Sequence, residues 1–272
     1  MFLDIIQTII LGIVQGITEW LPVSSTGHMI LINEFLKINV SSEFMSMFLV
    51  VIQLASIMAV VTLFFKQLFP WGFKKTADET KDTFSLWFKI LVACVPAGII
   101  GILFDERIDE LFFNPWTVAI ALIFYGVLFI IVENWQKNKP KRIDVVEQIT
   151  YKTAILVGVF QVLALIPGTS RSGATIIGGL ILGMDRTVAA SFTFYLAIPV
   201  MFGASAVRLL NFGFDFTRPE LIILVIGMIT AYLVSIIAIR FLLKYIKKND
   251  FKIFGYYRIV LGLIVILYFL FN

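Results

Sequence analysis

Six stretches of this chain, residues 45–65, 86–104, 116–132, 189–210, 221–243 and 253–271, consist almost wholly of apolar side chains. Each approaches the roughly 20 residues with which an α-helix crosses a ~30 Å hydrocarbon layer. Each is therefore expected to be a transmembrane helix. Of the 272 residues, 60% are hydrophobic and 15% charged, and mean hydropathy is +0.96, where soluble domains carry about 25% charged residues. The fold class is accordingly all-α, a polytopic membrane protein. A net charge of +4 is no nucleic-acid signal, because the basic residues sit beside spans, where membrane topology accounts for them. Neither a nucleic acid nor an obligate protein partner is expected. Cys94 is the single cysteine and lies inside a span, which excludes an internal disulfide.

The chain also repeats itself. Gly12-Ile-Val-Gln-Gly-Ile-Thr-Glu-Trp-Leu-Pro-Val-Ser-Ser-Thr-Gly27 aligns without a gap on Gly158-Val-Phe-Gln-Val-Leu-Ala-Leu-Ile-Pro-Gly-Thr-Ser-Arg-Ser-Gly173, at a constant offset of 146. The same offset carries Phe48 onto Phe194 and Ile52 onto Ile198. Basic residues gather at Lys66, Lys74, Lys75, Lys81 and Lys89, at Lys137, Lys139, Lys141, Arg142 and Lys152, and at Lys244, Lys247, Lys248 and Lys252. Positive charge marks cytoplasmic loops, so the acidic loop 105–110 and the turn 208–218 face outside. These assignments require residues 4–36 and 152–182 each to enter and leave on one side, as re-entrant hairpins. Each has an apolar first helix, a break at Pro22 or Pro167, a small polar turn and a second helix of about 10 residues, too short to span at 1.5 Å per residue. One membrane domain, 1–272, then holds two repeats. Residues 1–136 contain hairpin 4–36 and the first three spans; residues 152–272 contain hairpin 152–182 and the last three. A hairpin plus three spans makes an odd number of crossings, so the second repeat is inverted, an arrangement in which a polar site forms near the midplane where broken helices meet.

An ionisable side chain at a helix centre costs ~2.5–3.5 kcal/mol on insertion scales and marks a functional site by default. Glu19, His28 and Arg171 are the cases within the hairpins. Leu165 is the repeat mate of Glu19 and Ser25 that of Arg171, so acid and cation each occur in one half only. Arg171 offers a planar fork of donors suited to phosphate. The turns Ser24-Ser25-Thr26-Gly27 and Thr169-Ser170-Arg171-Ser172-Gly173 each open a helix, directing N–H groups and a positive dipole end inward. Ser25 and His28, three residues apart, fall within reach of each other on a helical turn; with Glu19 beside them they form nucleophile, base and orienter. Ser24, Ser25 and Thr26 equally suit helix capping, and Gln15 and Gln161 equally suit interhelical bonding. Glu133 and Arg258, near the ends of their spans, are expected to snorkel or pair at the interface, and Gly12, Gly16, Gly178 and Gly179 to be close-packing positions.

The segments Gln15-Gly-Ile-Thr-Glu19-Trp-Leu-Pro-Val-Ser-Ser-Thr-Gly-His28 and Pro167-Gly-Thr-Ser-Arg-Ser-Gly-Ala-Thr175 closely resemble the two signature motifs of the undecaprenyl-diphosphate phosphatase family, linked to bacitracin resistance. The resemblance extends over the whole chain. It implies hydrolysis of undecaprenyl diphosphate to the monophosphate carrier lipid and inorganic phosphate, in support of cell-wall synthesis, by a multi-pass protein of the bacterial plasma (inner) membrane. Glu19, Ser25, His28 and Arg171 become the catalytic residues it implies; Gln15, Ser24, Thr26, Gly27, Ser170, Ser172, Gly173 and Thr175 become the substrate-binding ones. It further implies a divalent cation, magnesium or calcium, with Glu19 as the side-chain ligand. Gln15 is the amide variant of a position that is otherwise acidic, and it offers such a cation only a neutral oxygen. In the mechanism expected, Ser25 attacks phosphorus with help from His28 and Glu19, the alternative being attack by His28 or by a water it activates. Charge placement has the first hairpin entering from outside, so the site is expected to open to the outer face. A transporter of lipid phosphate or another anion is the rival reading, since inverted repeats with broken helices are also a transporter architecture.

Overall fold

The structure, a computed structural model, describes residues 2–36, 38–71, 75–137, 139–213 and 215–271; Lys74, counted above among the basic residues, lies outside them. Along the chain run α1 (Phe2–Thr18), α2 (Ser25–Phe35), α3 (Ser42–Leu63), the short α4 (Phe65–Leu68), α5 (Ala77–Phe112), α6 (Pro115–Gln136), α7 (Tyr151–Val162), α8 (Arg171–Ile181), α9 (Arg186–Phe212), α10 (Arg218–Ile246) and α11 (Lys252–Phe271). Six of these, α3, α5, α6, α9, α10 and α11, are long and apolar enough to cross a membrane, where the six apolar runs predict them.

Local chemistry sets the helix starts. Ser41 accepts from the Phe44 amide, Asn114 from that of Thr117 with Pro115 at the first helical turn, and Thr217 forms a reciprocal capping box with Glu220; each satisfies an amide the helix cannot. α5 departs from expectation by being longer than its apolar core. Its first turn carries Asp78 and Glu79, favourable at a helix N-terminus, so Lys81 and Lys89 lie on helix and not in a loop, and the stretch 105–110 is helical too. Phe88, Leu91, Val95, Ile99 and Ile102 are all exposed along it at three- and four-residue spacing, an apolar stripe suited to hydrocarbon.

The same element series occurs twice, and the short helices match residue for residue: α2 and α8 begin and end at the 146-residue offset. Packing crosses between halves. α1 lies on α10 while α7 lies on α5, α3 pairs with α9, and α6 with α11. Repeat-mate glycines make the first two contacts possible. A Cβ on Gly12 would stand 2.8 Å from Thr230 Cβ, and one on Gly158 would stand 2.2 Å from the carbonyl oxygen of Ala93. Gly16, Gly178 and Gly179 are likewise closed against neighbours, as expected.

Glu133 does not snorkel. It is buried, bonded by Arg186 through Nε (2.9 Å) and Nη2 (2.6 Å) and by the Phe251 amide at 2.9 Å, which ties α6 to α9 and to the start of α11. Gly158→Ala is expected to lower the unfolding midpoint in detergent, by about 1–3 kcal/mol of overpacking, because α5 and α7 must part to admit the methyl group.

Candidate active site

Two turns, residues 19–24 and 163–170, end the first helix of each hairpin and bring the paired motifs together. In the second, α7 tightens into a 3-10 turn at Leu163–Leu165 before Pro167, which has no amide to continue it. Ser24 and Ser170 then occupy positive φ, 71° and 70°, and are the described non-glycine residues to do so. Each caps the helix that follows: Ser24 Oγ accepts from Gly27 N at 3.4 Å and Ser170 Oγ from Gly173 N at 3.2 Å. Left-handed backbone at a serine costs of order 1–3 kcal/mol and persists only where its surroundings enforce it. Capping consumes the Gly27 and Gly173 amides, so these two glycines do not offer the N–H groups expected of them; the earlier amides of each helix, at Ser25 and Thr26 and at Arg171 and Ser172, are the ones without intrahelical partners.

Glu19 and Arg171 meet across the two turns. Arg171 Nη2 donates to Glu19 Oε1 at 3.0 Å, with side chains 12% and 6% exposed. Gln15 Nε2 donates to the other carboxylate oxygen at 3.0 Å, so Gln15 serves Glu19 on its own helix. Arg171 Nη1 donates to the Thr193 carbonyl at 3.0 Å, while its Nε has no partner. The cavity of about 240 Å3 in front of the pair is lined by Glu19, Ser25, Thr26, Ser170, Arg171 and Ser172, among others. Ser25 and Arg171, equivalent in sequence, thus share one wall-to-wall space.

Of the expected site residues, Gln15, Ser24, Gly27, His28, Gly173 and Thr175 do not line this cavity. No hydrogen bond joins His28 to Ser25 or Glu19. Its Nδ1 lies 2.8 Å from the Ser24 carbonyl one turn back, and its Nε2 lies 2.6 Å from the Tyr257 hydroxyl, with the two rings stacked at 5.6 Å. A carbonyl only accepts, so Nδ1 carries the proton and Nε2 accepts from Tyr257. Thr175 is buried behind the site, where its hydroxyl donates to the Arg171 carbonyl and accepts from Thr193. It holds the helix start in place without facing the cavity.

Arg258 was expected at the interface, and it is fully buried. Nη2 donates to the carbonyls of Gly168 (2.9 Å) and Thr169 (2.8 Å), Nη1 to that of Pro22 (3.4 Å) and Nε to that of Leu122 (3.5 Å). One guanidinium therefore laces both turns to α6. Gly168 is required beneath it: φ is +91°, and a Cβ would stand 2.6 Å from the Val118 carbonyl oxygen. Neither Arg258 nor Thr193 lies within the repeated motifs. An arginine near the start of an apolar run was the one visible signal for the former, and nothing in sequence distinguished the latter.

A family model described as Bacitracin resistance protein BacA matches residues 8–264. The chain belongs to that family. This BacA-family chain is 61% identical over 267 residues to the undecaprenyl-diphosphatase of Desulfitobacterium hafniense, covering 98% of this chain and 96% of the relative. It is 63% identical over 268 residues to the enzyme of that name from Acetivibrio thermocellus (98% of each chain), and 58% identical over 268 residues to that from Enterococcus faecalis (98% and 97%). Family and helices together make it a multi-pass membrane protein.

A guanidinium that merely snorkelled would tolerate lysine. Arg258→Lys is expected instead to lower both the thermal midpoint in detergent and turnover, because an ammonium cannot span the separated carbonyls and each buried group left unpaired costs about 1–3 kcal/mol. Equal stability of the variant and the wild type would refute the clamp.

Proposed function

We propose that this chain hydrolyses undecaprenyl diphosphate to undecaprenyl phosphate and inorganic phosphate, returning the lipid carrier to cell-wall synthesis. The observation that carries the reading is the cavity in which Arg171, Ser25, Ser170 and Ser172 converge with Glu19 at the mouths of two capped helices, in a chain more than half identical along its length to undecaprenyl-diphosphatases. Donors fixed before the substrate arrives stabilise the charge that spreads over a phosphoryl group without reorganising.

Ser25 is the hydroxyl placed to attack. Its Oγ bonds to the terminal phosphorus as the bond to the bridging oxygen breaks; undecaprenyl phosphate leaves, and Glu19 takes the hydroxyl proton as its pairing with Arg171 passes to the phosphate. Water then hydrolyses the phosphoserine and regenerates the hydroxyl. His28 holds the start of α2 through the Ser24 carbonyl and keeps Nε2 toward Tyr257, which supports a positioning role over direct attack.

A divalent cation fits as a ligand shared with the substrate. Among the described residues no group of three or more His, Cys, Asp or Glu side chains is arranged to hold a metal. Magnesium, by contrast, is commonly held by one or two carboxylates plus substrate phosphates. Glu19, through the oxygen that does not take the Ser25 proton, would be the side-chain donor, and the ion would neutralise diphosphate charge. The two hairpins are read as re-entrant segments of inverted repeats, which the recurring element series and its crossed packing support; the site is read as opening to the outer face of the bacterial inner membrane, which the placement of basic residues supports.

Purified protein is expected to release phosphate from undecaprenyl diphosphate, with Arg171→Ala and Ser25→Ala each lowering kcat at least about 10²-fold, the usual cost of deleting a group that acts in the transition state. Rapid quench in neutral denaturing detergent, which spares both phosphoserine and acid-labile phosphohistidine, followed by mass mapping should recover phosphate on Ser25. Label on His28 with none on Ser25 would sink the serine step, and substrate-dependent lipid flux without phosphate release would favour a transporter.

A further inference from the structure

Across Arg171 the catalytic cavity adjoins a second one of about 480 Å3 between α5, α7 and α9. The two share Ala164, Arg171, Val200 and Ala204. The second borders a cleft of about 980 Å3 between α5 and α9, with which it shares Ala97, Gly98, Ile102, Gly203 and Ala204. Its walls are apolar but for Arg171 and Gln161. Two features distinguish the chamber from ordinary space between helices. First, the glycines that line it are not packing glycines: Gly98 and Gly203 are exposed, and a Cβ on either would meet nothing within 4 Å, whereas Gly158, which packs α7 on α5, is closed to 2.2 Å. Second, Gln161 is 3% exposed, with neither amide atom partnered. A buried amide without partners costs about 1–3 kcal/mol and points to a polar group that arrives with a ligand. Its repeat mate Gln15 is, by contrast, spent on Glu19.

We propose that this chamber holds the lipid-proximal part of the substrate: Gln161 Nε2 donates to an oxygen of the phosphate that stays on the lipid, and the first isoprenoid units lie along Gly98 and Gly203. The inference rests on the phosphatase reading above. Arg171, which lines both cavities, then stands between the two phosphates. The terminal phosphate lies toward Ser25, the retained one toward Gln161, and the chain runs on between α5 and α9 to the lipid. The missing side chains at Gly98 and Gly203 supply the width of the groove, so filling it should penalise long chains selectively.

The test uses the full-length protein in detergent and two substrates, a fifteen-carbon prenyl diphosphate and a five-carbon one. Gly98→Leu and Gly203→Leu are expected to keep the wild-type thermal midpoint, because the added atoms enter open space, and to lower kcat/KM for the long substrate at least tenfold relative to the short one. Gln161→Leu is expected to lower kcat/KM by about tenfold or more for both, the worth of one hydrogen bond to a charged group, with selectivity unchanged. Equal losses on both substrates in the glycine variants, or no loss, would overturn the chamber assignment while leaving the phosphatase reading intact. Absence of phosphate release by the wild type from both substrates and from undecaprenyl diphosphate would overturn both readings.

Discussion

The guanidinium of Arg258 is buried with no carboxylate among the described residues to balance it, and what it bonds explains why the fold keeps it there. Its partners are carbonyl oxygens at Pro22, Gly168, Thr169 and Leu122, drawn from the two turns and the helix between them. Turns at membrane depth expose carbonyls that lipid cannot satisfy, and non-helical backbone survives there only where protein or a watery cavity covers it. A single planar cation with five donors meets that need on both turns at once. The left-handed serines that follow each turn, and hence the directions of α2 and α8, depend on the turns being held. Without the clamp, the Glu19–Arg171 pairing would join two loose ends.

Glycine does opposite work at two sets of positions. At Gly12 and Gly158 its absent Cβ lets backbones touch, which is what fixes α1 on α10 and α7 on α5. At Gly98 and Gly203 the absent Cβ leaves room that nothing in the protein fills. Prolines occur within both walls of the chamber, Pro96 in α5 and Pro199 in α9, yet each helix continues through its proline. A wall made of open glycines and interrupted hydrogen bonding is poor material for a packed core and suitable material for a groove.

Much of this was legible before the structure. Six apolar runs located the spanning helices because hydrocarbon thickness imposes a length that composition reveals, and the gapless offset located the paired turns because capping requires particular side chains at fixed positions. What stayed hidden depended on three-dimensional neighbours. Arg258 sits at the edge of an apolar run, where an arginine ordinarily reaches for headgroups; that α6 and both turns surround it is a matter of packing between distant segments. The His28 partner is Tyr257, 229 residues away, and helical spacing from Ser25 could not compete with that contact. The ends of α5 were misread for a simpler reason: hydropathy marks where a helix is in lipid, not where it stops.

The site itself is an asymmetric charge placement on a backbone that repeats. Position for position, Ser25 and Arg171 begin matching helices behind matching serine caps, so the scaffold presents two equivalent anion-attracting helix starts to one space. If both carried serine, the cavity would lack a cation; if both carried arginine, it would lack a hydroxyl at this position and would bury two like charges. Placing the acid on one turn opposite the arginine on the other neutralises the empty site, which limits the cost of holding either charge in the membrane. On the mechanism proposed above it also makes the pair exchangeable, an incoming phosphate taking the place of Glu19 on Arg171 and releasing the carboxylate to accept a proton. Stability of the resting state and readiness for chemistry are thereby met by the same two residues.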